Sequence, residues 1–254
     1  MLYHAVALPQ DIEAAYIVPL ADLHIGDPLF DEQRCQRLVR WIAETPNAWA
    51  VLVGDVMNTA TKTSKSDIYQ EVMNPHEQLR YAKKLLAPIK DKIIAAVEGN
   101  HELRIAREDG INTTELLADT LGVFYSPLST LMKITLGRCP KNGKRLCYTM
   151  YVTHGSGSSR TSGGKVNALR RLRDIVLADV YVMGHIHWMA TFLETYYVPD
   201  VRNNKIEEVR LTFVSTGSFL KWGGYAEEKS LPPAKLGAPR IRLDGTRKDV
   251  RVSL

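Results

Sequence analysis

Ile17-Val18-Pro19-Leu20-Ala21-Asp22-Leu23-His24 joins an apolar run of strand character to a carboxylate and an imidazole two positions apart. The same kind of join recurs four times downstream. Ala50 to Val53 leads into Gly54-Asp55, Ile93 to Val97 into Gly99-Asn100-His101-Glu102, Tyr148 to Val152 into Thr153-His154-Gly155, and Val180 to Met183 into Gly184-His185-Ile186-His187. In an α/β sheet the loops leaving the carboxyl ends of the strands share one edge, where ligands bind. Five loops from distant parts of the chain are therefore expected to converge on one cleft, and they carry five of the seven histidines.

Carboxylate, imidazole and amide oxygen together suit manganese, iron or zinc better than a soft copper site. One carboxylate can bridge two ions about 3.5–4 Å apart, and such a pair activates water while holding phosphoryl oxygens. Asp55 is the natural bridge.

With 254 residues, 45% hydrophobic and 24% charged, the chain is long enough for one sizeable core. A single domain over residues 1–254 is expected. No run of about 18 apolar residues occurs, and the N-terminus lacks a basic-then-apolar leader, so a cytoplasmic protein with no membrane association is expected. Cys35, Cys139 and Cys147 are scattered without a C-x-x-C, which argues against a disulfide framework or a thiolate zinc site. The net charge of +5 and pI near 9.0 mildly favour an anionic partner. The basic groups at 141–145 and 247–251 read first as solvated surface, because no aromatic ladder accompanies them.

Periodicity predicts strands at 2–8, 16–21, 49–53, 93–97, 131–137, 145–152, 179–183 and 208–214, with a final strand pair around Asp244-Gly245. Helices are predicted at 31–44, 74–87, 113–121 and 166–177. Asn74-Pro75-His76-Glu77 supplies an N-cap, a first-turn proline and a capping-box glutamate. Lys141-Asn142-Gly143-Lys144 reads as a hairpin turn, and the glycine- and serine-rich stretch 156–164 as a loop beside the site. Alternating helix and strand followed by antiparallel pairing implies two packed sheets flanked by helices.

Taken in order, Asp-x-His, Gly-Asp, Gly-Asn-His-Glu, His-Gly and Gly-His-x-His resemble the calcineurin-like metallophosphoesterases, from Asp22 to His187 and on through Ser215-Thr216-Gly217-Ser218. The resemblance implies an α/β fold, a four-layer α/β/β/α sandwich with two mixed sheets flanked by helices. It also implies a pair of divalent ions at the strand ends. By that resemblance Asp22, His24 and His187 hold the first ion, Asp55 is shared, and Asn100, His154 and His185 hold the second. Manganese is the expected metal, with iron, zinc, nickel or magnesium as alternatives. A metal-bridging hydroxide would be the nucleophile, attacking phosphorus in line, and His101 would protonate the leaving oxygen. One position departs from the family pattern. Members often read Gly-Asp-x-x-Asp, whose second aspartate supports the catalytic histidine, whereas Gly54-Asp55-Val56-Met57-Asn58 carries an amide there.

These readings point to a metal-dependent hydrolase of phosphate esters, expected to favour phosphodiesters, with DNA or RNA as the substrate class. The alternatives are a phosphomonoesterase or protein phosphatase, and a catalytically inactive binding or scaffold protein. Family protein phosphatases usually continue Gly-Asp-x-x-Asp-Arg-Gly, and Asn58-Thr59-Ala60 replaces its last part. With few residues after Ser218, no separate capping domain is expected. Substrate selection is then expected in loops 59–72 and 156–164, or the substrate is small. Glu102 reads as structural, His4 and His76 as surface or core residues, and Arg104 as a phosphate contact or a helix-surface ion pair. Lys165, Arg170, Arg171 and Arg173 form a basic cluster that could hold a polyanion if their helix borders the cleft.

Overall fold

The structure is a computed structural model that describes residues 1–64 and 67–254. In chain order these form β1 (Leu2–Ala7), β2 (Ala14–Leu20), α1 (Glu32–Glu44), β3 (Ala48–Val53), α2 (Pro75–Leu86), β4 (Ile93–Val97), α3 (Asn100–Asp109), α4 (Thr113–Leu121), β5 (Tyr125–Ser126), β6 (Ser129–Leu136), β7 (Leu146–Thr153), α5 (Ser162–Arg170), β8 (Val180–Met183), β9 (Ala190–Asp200), β10 (Lys205–Ser215), α6 (Tyr225–Glu228), β11 (Arg240–Asp244) and β12 (Val250–Ser253). Two six-stranded sheets result, ordered β1-β6-β7-β8-β10-β9 and β12-β11-β2-β3-β4-β5. Both are mixed. In the first, β7, β8 and β10 run parallel, and in the second, β2, β3, β4 and β5 do.

Alternation along each strand sorts its side chains onto two faces, and this sorting builds the layers. In β3, Ala50 and Leu52 face outward to pack with Cys35, Val39 and Ile42 of α1, Leu85 and Leu86 of α2 and Leu117 of α4. Val51 and Val53 face inward, meeting Met150, Val152, Val180 and Val182 of the other sheet. On that second sheet the alternate residues Tyr181, Met183, Leu211 and Phe213 turn outward beneath Leu169 of α5. Helix, sheet, sheet and helix are therefore stacked as the sequence predicts. Fully buried residues such as Leu52 and Val53 each contribute about 1.5–3 kcal/mol relative to exposure.

Local signals set the boundaries. The Asn74 and Glu77 side chains exchange bonds with each other's backbone amides at 3.0 and 2.9 Å, completing the expected capping box of α2. Several elements differ from the sequence reading. The helix predicted at 166–177 starts earlier, because Thr161 caps it by accepting from Gly164 N at 3.2 Å, and it tightens into a 3-10 turn after Arg170. The end of the 156–164 stretch is thus helical. No strand is predicted over Ala190–Asp200, yet β9 pairs with the whole of β10, which begins at Lys205 rather than 208. Lastly, α3 begins at Asn100 within the Gly-Asn-His-Glu motif and ends at Gly110, whose φ of 70° suits glycine.

Cys35, Cys139 and Cys147 are free thiols. Among the described residues no helix is long and apolar enough to cross a membrane.

Candidate metal centre

Strand polarity brings the motif residues together. The parallel strands β2, β3 and β4 end on one edge and deliver Asp22, His24, Asp55 and Asn100, while β7 and β8 deliver His154, His185 and His187 from the other sheet. The loop after β10 ties the sheets, since Phe219 N and the Ser218 hydroxyl both donate to the Asp22 carbonyl, at 2.9 and 3.1 Å. That is the role of the Ser-Thr-Gly-Ser strand end. Of the eight non-glycine residues with positive φ among those described, five are predicted ligands: Asp22 (52°), His24 (52°), Asp55 (49°), His185 (66°) and His187 (46°). Such conformations cost about 1–3 kcal/mol each and cluster where a site imposes its own geometry.

The side chains form two groups. Asp22, His24 and His187 make one: His187 Nε2 lies 3.1 Å from Asp22 Oδ1 and 3.2 Å from His24 Nε2. In the other, His154 Nε2 lies 3.1 Å from Asp55 Oδ2, 3.0 Å from Asn100 Oδ1 and 3.3 Å from His185 Nδ1, which is itself 2.7 Å from Asn100 Oδ1. Asp55 Oδ2 stands between them, 3.9 Å from His24 Nε2. All seven predicted ligands thus meet at one place. His101 Nε2 is 3.8 Å from Asp55 Oδ2, and His24, Asp55 and His101 form a third group able to hold a cation.

Acceptor-only partners fix which ring nitrogen faces inward. His154 Nδ1 must donate to the Val53 carbonyl at 2.8 Å, and His101 Nδ1 to the Asn58 carbonyl at 2.8 Å, so both present Nε2 to the centre. Position 58 thus meets His101 through its backbone carbonyl, while the Asn58 Oδ1 lies 3.0 Å from His24 Nδ1. Glu102, fully buried, accepts from Asp55 N at 3.1 Å and Met57 N at 2.8 Å, the structural part expected of it. Gly54 and Gly99 are required by close approach. A Cβ on Gly99 would fall 2.1 Å from Asp55 N, and one on Gly54 2.6 Å from Gly99 Cα.

Convergent lone pairs make this a cation site. His154 Nε2 is an acceptor once Nδ1 donates, yet it faces the carbonyl oxygen of Asn100 and a carboxylate oxygen of Asp55, so something positive must lie between them. Without a metal, protons fill that role. Burial pushes the His154 imidazolium down, but Asp55 with Asp22 behind it outweighs burial and raises its pKa to about 10. Likewise burial opposes charge on His187, and Asp22 overrides it, leaving the pKa raised. Burial would raise Asp55, but His154, His101 and His24 hold it well below the usual carboxylate range. His24, His101 and His185 are lowered, chiefly by burial. Burial, then the Asp55 charge, push Glu102 up to about 7. Depth orders the site: Asp22 and Asp55 lie at the floor, their side chains 0% and 2% exposed, while the His187 side chain, 37% exposed, opens to solvent.

Other readings separate from the centre. His4 stacks on Phe124 with ring centroids 4.1 Å apart, and His76 is exposed. Arg170 Nε and Arg173 Nη1 pair with Glu194 on β9 at 2.6 and 3.0 Å, so the basic cluster is partly neutralised by the strand the sequence reading omitted. Arg104 forms no ion pair among the described residues, and its Nη1 is buried without a hydrogen-bond partner. In the loop 59–72, positions 65 and 66 lie outside the described residues; Tyr69 points to solvent, whereas Glu71 turns inward to Asn58 and Gln78. Glu71 and Gln78 belong to no strand-end motif, so nothing in the sequence marks them.

A segment of 96 residues is 26% identical to the DNA polymerase II small subunit of Thermoplasma acidophilum, covering 35% of this chain and 20% of that protein. The chain thus spans about a fifth of the length of the curated relative it matches. Among solved structures, the calcineurin-like phosphoesterase YfkN of Bacillus subtilis superposes with a TM-score of 0.47 at 14% identity, over 94% of this chain and 90% of that one. The NAD nucleotidase NadN of Haemophilus influenzae gives 0.46 at 10%, over 95% and 49%. The sequence model of the calcineurin-like phosphoesterases matches residues 17–189, a span that takes in every strand end contributing to the centre. On that match, over well more than half of its length, the chain belongs to the calcineurin-like phosphoesterase family.

Proposed function

We propose that this protein is a two-metal phosphodiesterase acting on nucleic acid. The observation that carries the reading is the convergence of acceptors: Asp22, His24 and His187 on one side, Asn100, His154 and His185 on the other, and Asp55 Oδ2 between. Buried carboxylates facing imidazole lone pairs fit two divalent cations, and the mixed oxygen and nitrogen set suits manganese. Bound there, such ions supply Lewis acidity and an activated water for in-line displacement at phosphorus.

The chain's own residues do the rest. His154 is oriented by Val53, and His185 N donates to Asp22 at 3.0 and 3.2 Å, so the ligand frame is set by backbone. Among the described residues, the centre opens to solvent at Asn100, His101, His185 and His187. His101, with Nδ1 donating to the Asn58 carbonyl, presents Nε2 toward the Asp55 side of the centre; in its imidazolium form it would give the Nε2 proton to the leaving oxygen and return to the neutral ring. The diester preference is supported by the missing Asp-Arg-Gly of protein phosphatases and by the net charge of +5. The short similarity to a DNA polymerase subunit supports nucleic acid as the substrate.

The test is hydrolysis of bis(p-nitrophenyl) phosphate against p-nitrophenyl phosphate by Mn2+-loaded protein, followed by single- and double-stranded DNA, RNA, cyclic nucleotides and phosphopeptides. Faster turnover of the diester and of a nucleic acid is expected. Preference for the monoester or the phosphopeptide would overturn the diesterase reading. No turnover of any substrate by protein carrying two ions would make it a binding protein.

A further inference from the structure

The family's second aspartate is absent, but a carboxylate has entered the same region from another segment. Asn58 Oδ1 faces His24 Nδ1 at 3.0 Å, and Asn58 Nδ2 donates to Glu71 Oε1. The second oxygen of Glu71 accepts from Gln78 Nε2 at 2.5 Å. Gln78, fully buried on α2, accepts from Thr59 N at 2.8 Å and donates to the Met73 carbonyl at 2.8 Å, and Val72 N bonds to the Gly26 carbonyl at 2.9 Å. Glu71 is thereby held against the Asp22-to-Gly26 loop from both sides.

The order of donors and acceptors leaves one arrangement. A carboxylate accepts, so the Asn58 NH2 must turn to Glu71 and its carbonyl oxygen to His24. That oxygen accepts too, so the His24 proton sits on Nδ1. Nε2 is then a bare lone pair, and it is this atom that faces Asp22, Asp55 and His187. Partners of this kind, lying outside the ligand set, orient metal-binding imidazoles and fix their tautomer.

We propose that Glu71 and Asn58 form a positioning relay for His24, in which Glu71 fixes the Asn58 amide and the amide fixes the His24 proton on Nδ1. The relay rests on the reading above that His24 is a metal ligand. It explains why an amide replaces the aspartate. A carboxylate at position 58 would face the Glu71 carboxylate across a short contact, in partly buried surroundings where like charges repel strongly. Restoring the family residue should therefore impair this protein. Exchanging the two should repair it: in the pair Asn58→Asp with Glu71→Gln, the new carboxylate accepts from His24 and from the new amide, whose oxygen still accepts from Gln78.

Two measurements on the full chain test this. In metal-free protein, histidine 15N NMR should show the His24 proton on Nδ1, and in Asn58→Leu that preference should be lost. In Mn2+ titrations, Asn58→Asp should weaken one of two sites about 10–100-fold and leave the other within a few-fold, while the new repulsion lowers the melting temperature and the double variant restores it. The double variant should recover most of the lost affinity. The relay is overturned if the His24 proton lies on Nε2, if Asn58→Asp binds both ions as before, or if the double variant binds no better than the single one. Loss of both ions, with a melting temperature that the double variant does not restore, would also overturn it, marking a folding role instead. Unaltered protein that takes up no Mn2+ would refute the metal reading, while the proton position on His24 would still judge the relay.

Discussion

Opposite edges of the β2-containing sheet each bury carboxylates, in opposite ways. Asp244, at the end of β11 beside Ala14, accepts only from donors: the Thr246 hydroxyl at 2.7 Å, Thr246 N at 2.8 Å, Arg242 Nη1 at 2.9 Å and Arg247 N at 3.1 Å. Asp55, at the far edge, receives a single side-chain contact from backbone, His101 N at 2.9 Å on Oδ1, and its Oδ2 confronts imidazole nitrogens of His154, His101 and His24 at 3.1, 3.8 and 3.9 Å. Both carboxyls are pulled below their ordinary range. A depressed carboxylate alone therefore does not mark a site. What distinguishes the Asp55 edge is that its neighbours can release their protons and then compete for one cation.

Replacing Asp55 gives the largest expected effect. Asp55→Asn should remove both ions, read by elemental analysis, and lower turnover at least about 10³-fold, the scale of losing a principal electrostatic contributor. Metal-free Asp55→Asn should melt lower as well, because the depressed Asp55 carboxylate faces the His154 imidazolium, whose charge is then left buried without its partner. Asparagine tolerates the positive φ of 49° at this position, so the backbone adds little to that cost. The metal separates the two edges: saturating Mn2+ should widen the melting gap of Asp55→Asn and leave that of Asp244→Asn unchanged. A gap for Asp55→Asn that Mn2+ does not widen would mean that Asp55, like Asp244, is held for the fold. His154→Ala should also abolish turnover through metal loss, beginning with the ion shared with Asn100 and His185.

His101→Ala comes next. Both ions should remain, because the seven other donors stay in place, and turnover should fall about 10²-fold. The fall should be steepest for a poor leaving group such as an alkoxide and smallest for p-nitrophenolate. A variant that had lost an ion would instead place His101 among the ligands, as its grouping with His24 and Asp55 allows.

The pH dependence of metal binding follows from the same edge. His154, raised to about 10 by Asp55 against the effect of burial, carries a proton throughout the neutral range. A cation must displace that proton, so affinity should rise with pH, about tenfold per unit for each proton released. Mn2+ titrations between pH 6 and 8 check this. A flat profile would show that the ion does not use His154 Nε2.

The convergence of the motif residues was legible because it obeys two local rules: apolar strands alternate, and polar residues at their carboxyl ends share an edge; which of them would hold the ions came only from the family resemblance. Asp22, Asp55, His154 and His185 could be placed together with no knowledge of side-chain direction. His101 was legible as a neighbour of that set, but its partner was not. Whether position 58 orients it by side chain or by carbonyl depends on a backbone turn that no spacing encodes. Glu71 and Gln78 were hidden for a similar reason, since a loop glutamate and a helical glutamine look like surface until the chain folds over them. Little in the sequence marks β9 as a strand, because it is an edge strand that pairs only with β10, and its Leu193 and Tyr197 lie exposed at 62% and 75%, so burial does not shape its pattern. The same lack of signal concealed Glu194, and with it the pairing of Arg170 and Arg173. Arg170→Ala with Arg173→Ala should accordingly change nucleic-acid affinity only a few-fold at about 0.1 M salt, where partly paired surface charges contribute little.

Asp244 supplies the smallest effect and the cleanest control. Burial would raise its pKa, but the Thr246 hydroxyl and amide, then Arg242 and the Arg247 amide, outweigh burial and depress it. A group whose folded-state pKa is depressed stabilises the fold fully above its unfolded value, near 3.9, and that contribution disappears as pH falls toward the folded value. Asp244→Asn should therefore cost roughly 1–3 kcal/mol at neutral pH, and the gap from the unaltered protein should narrow below about pH 4. Metal content and turnover should not change, because β11 delivers Asp244 to the edge away from His24 and Asp55. Denaturant melts at pH 7 and pH 3 measure the narrowing. A gap that stayed constant would show that Asp244 acts through packing rather than charge, and the contrast between the two edges would then rest on Asp55 alone.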